Sequence, residues 1–269
     1  MPIELLLAAS GVAAGAFGAM LGLGGGVLIV PLLTLGFGLP LSTAVGISLI
    51  SVIATSTGAA AINVRAGRAD VRLGITLGAG TVVGALVGAV VAGFLPERAI
   101  AAIFAALLGY TALTMLRRLR RPAVASDHAQ VVDPAAPDGP AAPAYRSRRL
   151  PLALGGSFVA GNISGLLGVG GGIVTVPLVH VIMGAPIHVA VATSNFMIGI
   201  TAAAGAYAYL FRGDVDPRLA APVVLGVALG AAVGAAVAPR VQATWLVVSF
   251  VIVVAYVAIQ MGLRAAGMA

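Results

Sequence analysis

The pentapeptide Gly22-Leu23-Gly24-Gly25-Gly26 returns as Gly168-Val169-Gly170-Gly171-Gly172, each copy inside an apolar run long enough to enter a lipid bilayer. At this offset of 146 residues, 21–31 and 167–177 share seven of eleven residues, and Pro40 meets Pro186, Ser48 meets Ser194 and Asp70 meets Asp216. A membrane chain built from two copies of one unit, each interrupted by glycine, has the layout of a secondary transporter.

Apolar runs cover 3–39, 41–64, 71–95, 99–116, 150–183, 189–211, 219–238 and 241–263. Most approach the ~20 residues that cross a bilayer as a helix. The runs 3–39 and 150–183 are too long for one span, and the glycine cluster splits each into a full-length piece and a shorter one ending near Pro40 or Pro186. Glycine weakens a helix and proline removes a backbone donor, so a broken or re-entrant element is predicted there. Such backbone is tolerated at membrane depth only where protein or a water-filled cavity shields it. The expected fold is an all-α polytopic membrane protein with two homologous halves of about four spanning helices each. Residues 1–121 form the first membrane repeat, 122–145 a disordered Pro/Ala linker and 146–269 the second repeat.

With 60% hydrophobic and 9% charged residues and a mean hydropathy of +1.11, the composition is that of a membrane protein; soluble domains carry about 25% charged residues. The 15 basic residues are all arginine and lie in short connections, so the net charge of +7 signals topology and not nucleic-acid binding. The absence of cysteine and lysine excludes disulfides, thiolate nucleophiles, a Walker phosphate loop and Schiff-base chemistry. The start of the chain, Met1-Pro2-Ile3-Glu4, lacks the basic n-region of a signal peptide, so the first run is expected to be retained. The arginine-rich flanks of the linker should be cytoplasmic. With eight crossings and both termini on that side, 13 arginines fall inside and two outside; with ten crossings and inverted halves the count is 11 to 4. The first arrangement scores better.

The ladders Gly80, Gly84, Gly88 and Gly226, Gly230, Gly234 place small residues on one helix face, which suits close helix packing. All eight acidic residues lie at the chain start or in connections, so the spans offer hydroxyls and backbone in place of charge. N–H groups exposed at a glycine break, with hydroxyls beside them, suit a small oxyanion. The candidate substrate-binding residues are Gly24, Gly25, Gly26, Ser48, Gly170, Gly171, Gly172, Thr193, Ser194 and Asn195. The competing reading of each hydroxyl is a bond to its own or a neighbouring helix. His188 is the candidate for proton coupling, because histidine titrates near neutrality. Val27 interrupts any dinucleotide-binding glycine motif, and no cofactor or metal is expected.

Together these residues resemble the sulfite exporter TauE/SafE family, also called the toluene-sulfonate uptake permeases. The resemblance rests on Gly22–Gly26 with Val30-Pro31 and Ala44-Val45-Gly46-Ile47-Ser48, and on Gly168–Gly172 with Val176-Pro177 and Ala190-Val191-Ala192-Thr193-Ser194. The second copy's Ala-Thr-Ser is close to the family's usual Gly-Thr-Ser, whereas the first has Gly-Ile-Ser. The resemblance implies transport of sulfite, sulfoacetate or a related sulfur-containing anion across the bacterial inner membrane. An anion channel with the same path, or an intramembrane enzyme or assembly factor, remains the alternative, and homo-oligomerisation stays open.

Overall fold

The computed structural model describes residues 3–20, 25–119, 150–237 and 243–267. Gly22, Gly24 and the expected linker 122–145 lie outside the described residues. Those described are helical, without strands: α1 Ile3–Met20, α2 Gly26–Pro31, α3 Leu41–Arg65, α4 Val71–Ala92, α5 Glu97–Leu119, α6 Leu150–Leu167, α7 Gly172–Pro177, α8 Ile187–Phe211, α9 Pro217–Val237 and α10 Ala243–Ala265. All but α2 and α7 are long and apolar enough to cross a membrane.

The two short helices follow from local chemistry. Gly25 and Gly171 hold φ of 77° and 75°, a left-handed conformation that glycine adopts without strain, and each N-caps the helix that follows. Pro31 and Pro177 lack the N–H that would serve the carbonyl four residues back. Beyond them the wider π-helical pairing takes over, across Leu32–Gly36 and Leu178–Ile182. Pro40 and Pro186, both with φ of −53°, then start α3 and α8.

Helix directions follow from which residues meet. Along α4 and α6, Thr81 faces Gly161 and Ala85 faces Gly165, so the two helices run parallel. Asp70 meets Thr193, Thr81 meets Thr201 and Ala89 meets Arg212, so α4 and α8 are parallel too. Hence α6 and α8 point the same way, and the short segment between them, α7 with its π-helix, carries the chain back. Two further pairs fix the remaining directions. Gly11 and Gly15 of α1 meet Val223 and Val227 of α9, a parallel pair. Gly46 and Ser56 of α3 meet Tyr209 and Gly199 of α8, an antiparallel pair. Since α9 reverses α8 through a short turn, α1 and α3 also share a direction. At the offset of 146 residues, α1 and α6, α3 and α8, and α4 and α9 therefore run in opposite directions.

Of the two arrangements weighed by the arginine count, these helix directions match the inverted one. Both ends of the linker, after α5 and before α6, lie at one face. The start of α1 and the end of α10 lie at the opposite face, where Arg264 donates to the Thr34 carbonyl and the Leu41 N–H donates to Glu97. The re-entrant segments are too short to span on their own, yet each reverses the chain as a crossing would.

The glycine ladders sit at the parallel pairs. A methyl built on Gly84 or Gly88 would overlap the carbonyl of Phe158 or Asn162 in α6, and one on Gly226 or Gly230 would overlap that of Ala8 or Val12 in α1. Backbones this close gain dispersion contacts, the main attraction between helices in lipid, where no hydrophobic drive exists. Other faces of α4 and α9 carry exposed Ile75, Val83, Leu225 and Leu229, and α10 exposes Ile252 and Ile259, side chains suited to lipid.

Candidate functional site

The two glycine breaks converge where α3 crosses α8. The Ser48 hydroxyl, fully buried, donates to the Gly168 carbonyl at 2.7 Å and stands 3.3 Å from the Gly26 carbonyl. One side chain on α3 thus touches the break of each half. A methyl built on Gly26 would stand 2.7 Å from the Gly168 oxygen, and one on Gly170 would meet Val52 at 2.8 Å. Gly172 faces Ile198, the residue on α8 that corresponds to Val52 on α3. Only glycine lets the breaks come this close.

Gly25 and Gly171 play a different part. Their open sides face the long helix just before each break: Ala14 and Gly15 for Gly25, Ala160 and Ser164 for Gly171. They are the corners at which the chain doubles back. The first N–H groups of α2 and α7 have no acceptor within their own helix, because pairing to the Gly25 and Gly171 carbonyls begins with Leu28 and Val174.

The corresponding serines are not equivalent. Ser194 is as buried as Ser48, yet its hydroxyl has no partner among the described residues. The Ser164 hydroxyl, beside the Gly171 corner, is likewise buried and unpartnered. A buried hydroxyl without a partner costs about 1–3 kcal/mol, so free hydroxyls flanking a backbone break are positions at which a ligand atom would be welcome.

The other candidates are dispersed. Thr193 is engaged, its oxygen accepting the Asp70 N–H at 3.0 Å where α4 begins, away from the breaks. Asn195 is half-buried on α8. His188 is exposed in the first turn of α8, six residues before Ser194 and so about 9 Å from it along the helix axis. His180 Nδ1 lies 2.8 Å from the Ala185 carbonyl, in the loop that leads to α8. Gly24 lies outside the described residues.

Sequence reasoning missed Ser164 and Tyr209. The Tyr209 hydroxyl donates to the Gly165 carbonyl at 3.0 Å, capping the end of α6 just before its break. Arg212 stacks on the Tyr209 ring at 4.4 Å, pairs with Asp214 at 2.8 Å and donates to the Ala89 carbonyl at the end of α4. At the offset of 146, Ser164 pairs with Gly18 and Tyr209 with Asn63. Attention to what the halves share passes over such positions, although a polar residue inside an apolar run was signal enough.

Residues 7–261 match the family described as Sulfite exporter TauE/SafE, and the chain belongs to it. It is 26% identical over 234 residues to "Probable membrane transporter protein YunE" of Bacillus subtilis (strain 168), covering 82% of this chain and 84% of that protein. It is 29% identical over 210 residues to "Probable membrane transporter protein YdhB" of the same organism, covering 77% and 78%. No solved structure matches.

Proposed function

We propose that this TauE/SafE member is a secondary transporter that carries a small sulfur-containing anion, such as sulfite, sulfoacetate or another organosulfonate, through the crossing of α3 and α8. The observation that carries the reading is the meeting of both glycine breaks at Ser48, with the buried Ser194 hydroxyl left free. The first N–H groups of α2 and α7, which have no acceptor within their own helices, with hydroxyls beside them, suit an oxyanion that must bind without a countercharge and leave again. Inverted halves meeting at broken helices support alternating access, in which one bundle rocks against the other around a fixed site.

The chain then reads as a first repeat, 1–121, a linker, 122–145, and a second repeat, 146–269. The linker face is cytoplasmic in this proposal. It receives 11 of the 15 arginines once the halves are inverted, which satisfies the positive-inside rule in the bacterial inner membrane.

The test is counterflow in proteoliposomes, after a thermal-shift screen with sulfite, thiosulfate, sulfate, sulfoacetate and taurine has found a ligand that stabilises the fold. Saturable uptake driven by unlabelled anion on the opposite side is expected. Passive, non-saturating conductance would make the chain a channel instead.

A further inference from the structure

A second polar feature lies at the face opposite the linker. Between the start of α3, the start of α5 and the end of α10 is a cleft of about 230 Å³, lined by Leu41, Glu97, Arg98, Arg264 and Gly267 among others. It holds two guanidinium groups and one carboxylate. The Glu97 carboxylate is occupied, with Oε1 accepting the Leu41 N–H at 3.3 Å and so capping α3 from another helix. Arg264 is half-buried and spends one N–H on the Thr34 carbonyl at 3.3 Å. The exposed Arg98 guanidinium lies beside Gly267, whose added methyl would stand 3.6 Å from its Cζ. A guanidinium carries five N–H donors in a planar fork matched to oxyanions, so most of the donors here remain available.

The cleft is not part of the duplicated architecture. At the offset of 146, Glu97 pairs with Ala243 and Arg98 with Thr244. Arg264 pairs with Arg118, so Glu97 and Arg98 are what this end of the molecule adds to the shared pattern. Leu41 on the cleft wall lies seven residues before Ser48 on α3, about 10 Å along the helix axis. Thr34, held by Arg264, belongs to the re-entrant segment that begins at Gly26.

We propose that this cleft binds one oxyanion, a sulfonate or a phosphate-like group, between Arg98 and Arg264, and that Glu97 limits its affinity by repulsion. The site is distinct from the crossing of α3 and α8 and stands or falls independently of it. Its charge concentrates anions at the mouth on that face, and salt weakens the effect by screening. The oxyanion chemistry is shared by a free sulfonate and by the headgroup of an anionic lipid.

The experiment titrates methanesulfonate by calorimetry into the full chain in phosphatidylcholine nanodiscs. Arg98→Gln with Arg264→Gln should weaken one binding component at least about tenfold, the loss expected for charge-assisted hydrogen bonds. Glu97→Gln keeps an oxygen for the Leu41 N–H while removing the charge, and should strengthen that component several-fold. Gly171→Val should leave it intact, so failure of the central site and failure of the cleft are told apart. Adding phosphatidylglycerol separates the sources: competition identifies the headgroup as the preferred ligand, and no competition identifies the free anion. The proposal is overturned if Arg98→Gln alone, at an exposed position that tolerates it, and Glu97→Gln both titrate as the parent does and phosphatidylglycerol changes nothing. Equal weakening by Glu97→Gln and the arginine variants would also overturn it, because that pattern marks a structural role.

Discussion

Ser48→Ala and Ser194→Ala are the same change at corresponding positions, and the structure predicts opposite outcomes. Removing the Ser48 hydroxyl deletes a 2.7 Å bond from α3 to the Gly168 carbonyl and leaves that oxygen without its partner. Interhelical hydrogen bonds in membranes contribute about 0.6 kcal/mol on average and up to about 1.7. The strength of this bond and its full burial place the loss near the upper end. Ser194→Ala instead removes a hydroxyl that is buried without a partner, so the empty protein should be unchanged or more stable. If substrate oxygen fills that vacancy, Ser194→Ala costs affinity about 0.5–1.5 kcal/mol, a roughly two- to twelvefold rise in Kd. Thermal unfolding of purified protein with and without anion reads both quantities. Ser48→Ala should lower the Tm of the empty protein, whereas Ser194→Ala should lower mainly the shift produced by ligand. Equal losses of Tm in the two variants, with the ligand shift retained by Ser194→Ala, would refute the reasoning.

Gly25→Val and Gly171→Val force a β-branched residue to a φ near +75°; each should abolish the binding component at the crossing of α3 and α8, and leave that of the Arg98 cleft, measured by calorimetry on monodisperse protein that still inserts. Gly84→Ala and Gly230→Ala should lower thermal stability by about 1–3 kcal/mol through overpacking, with KM for uptake unchanged in the surviving fraction. Because the chain has no cysteine, Ala266→Cys and Ser147→Cys report topology directly: an impermeant maleimide should label Ala266→Cys in intact cells and Ser147→Cys only after permeabilisation. His188→Gln should lower uptake driven by an imposed proton gradient in proteoliposomes if this side chain couples protons; unchanged uptake assigns coupling elsewhere.

The duplicated breaks were legible because glycine and proline act locally: Gly25, Pro31 and Pro40 with their counterparts mark the corner, the π-helix and the next helix start wherever the chain goes. The glycine ladders were legible for the same reason. The direction of the halves was not, because hydropathy favours spans of full length and a short re-entrant segment still reverses the chain. Arginine counting pointed the other way, since it treated Arg212 and Arg264 as topology signals. Arg212 instead closes the end of α4 beside Tyr209 and Asp214, and Arg264 ties α10 to Thr34. The difference between Ser48 and Ser194 could not be read from identity, because the two residues are the same and only their surroundings differ.

The parallel pairs have a consequence for biogenesis. The partner of α1 is α9, whose Val223 meets Gly11, so α1 enters the membrane roughly 210 residues ahead of the surface it fits, a wait of about 10–40 s at ordinary rates of synthesis. During that time its glycine stripe faces lipid or the insertion machinery. The α4 stripe is matched much sooner, by α6. Assembly therefore closes from the middle of the chain outward, and neither half made alone contains the surfaces that would hold it together.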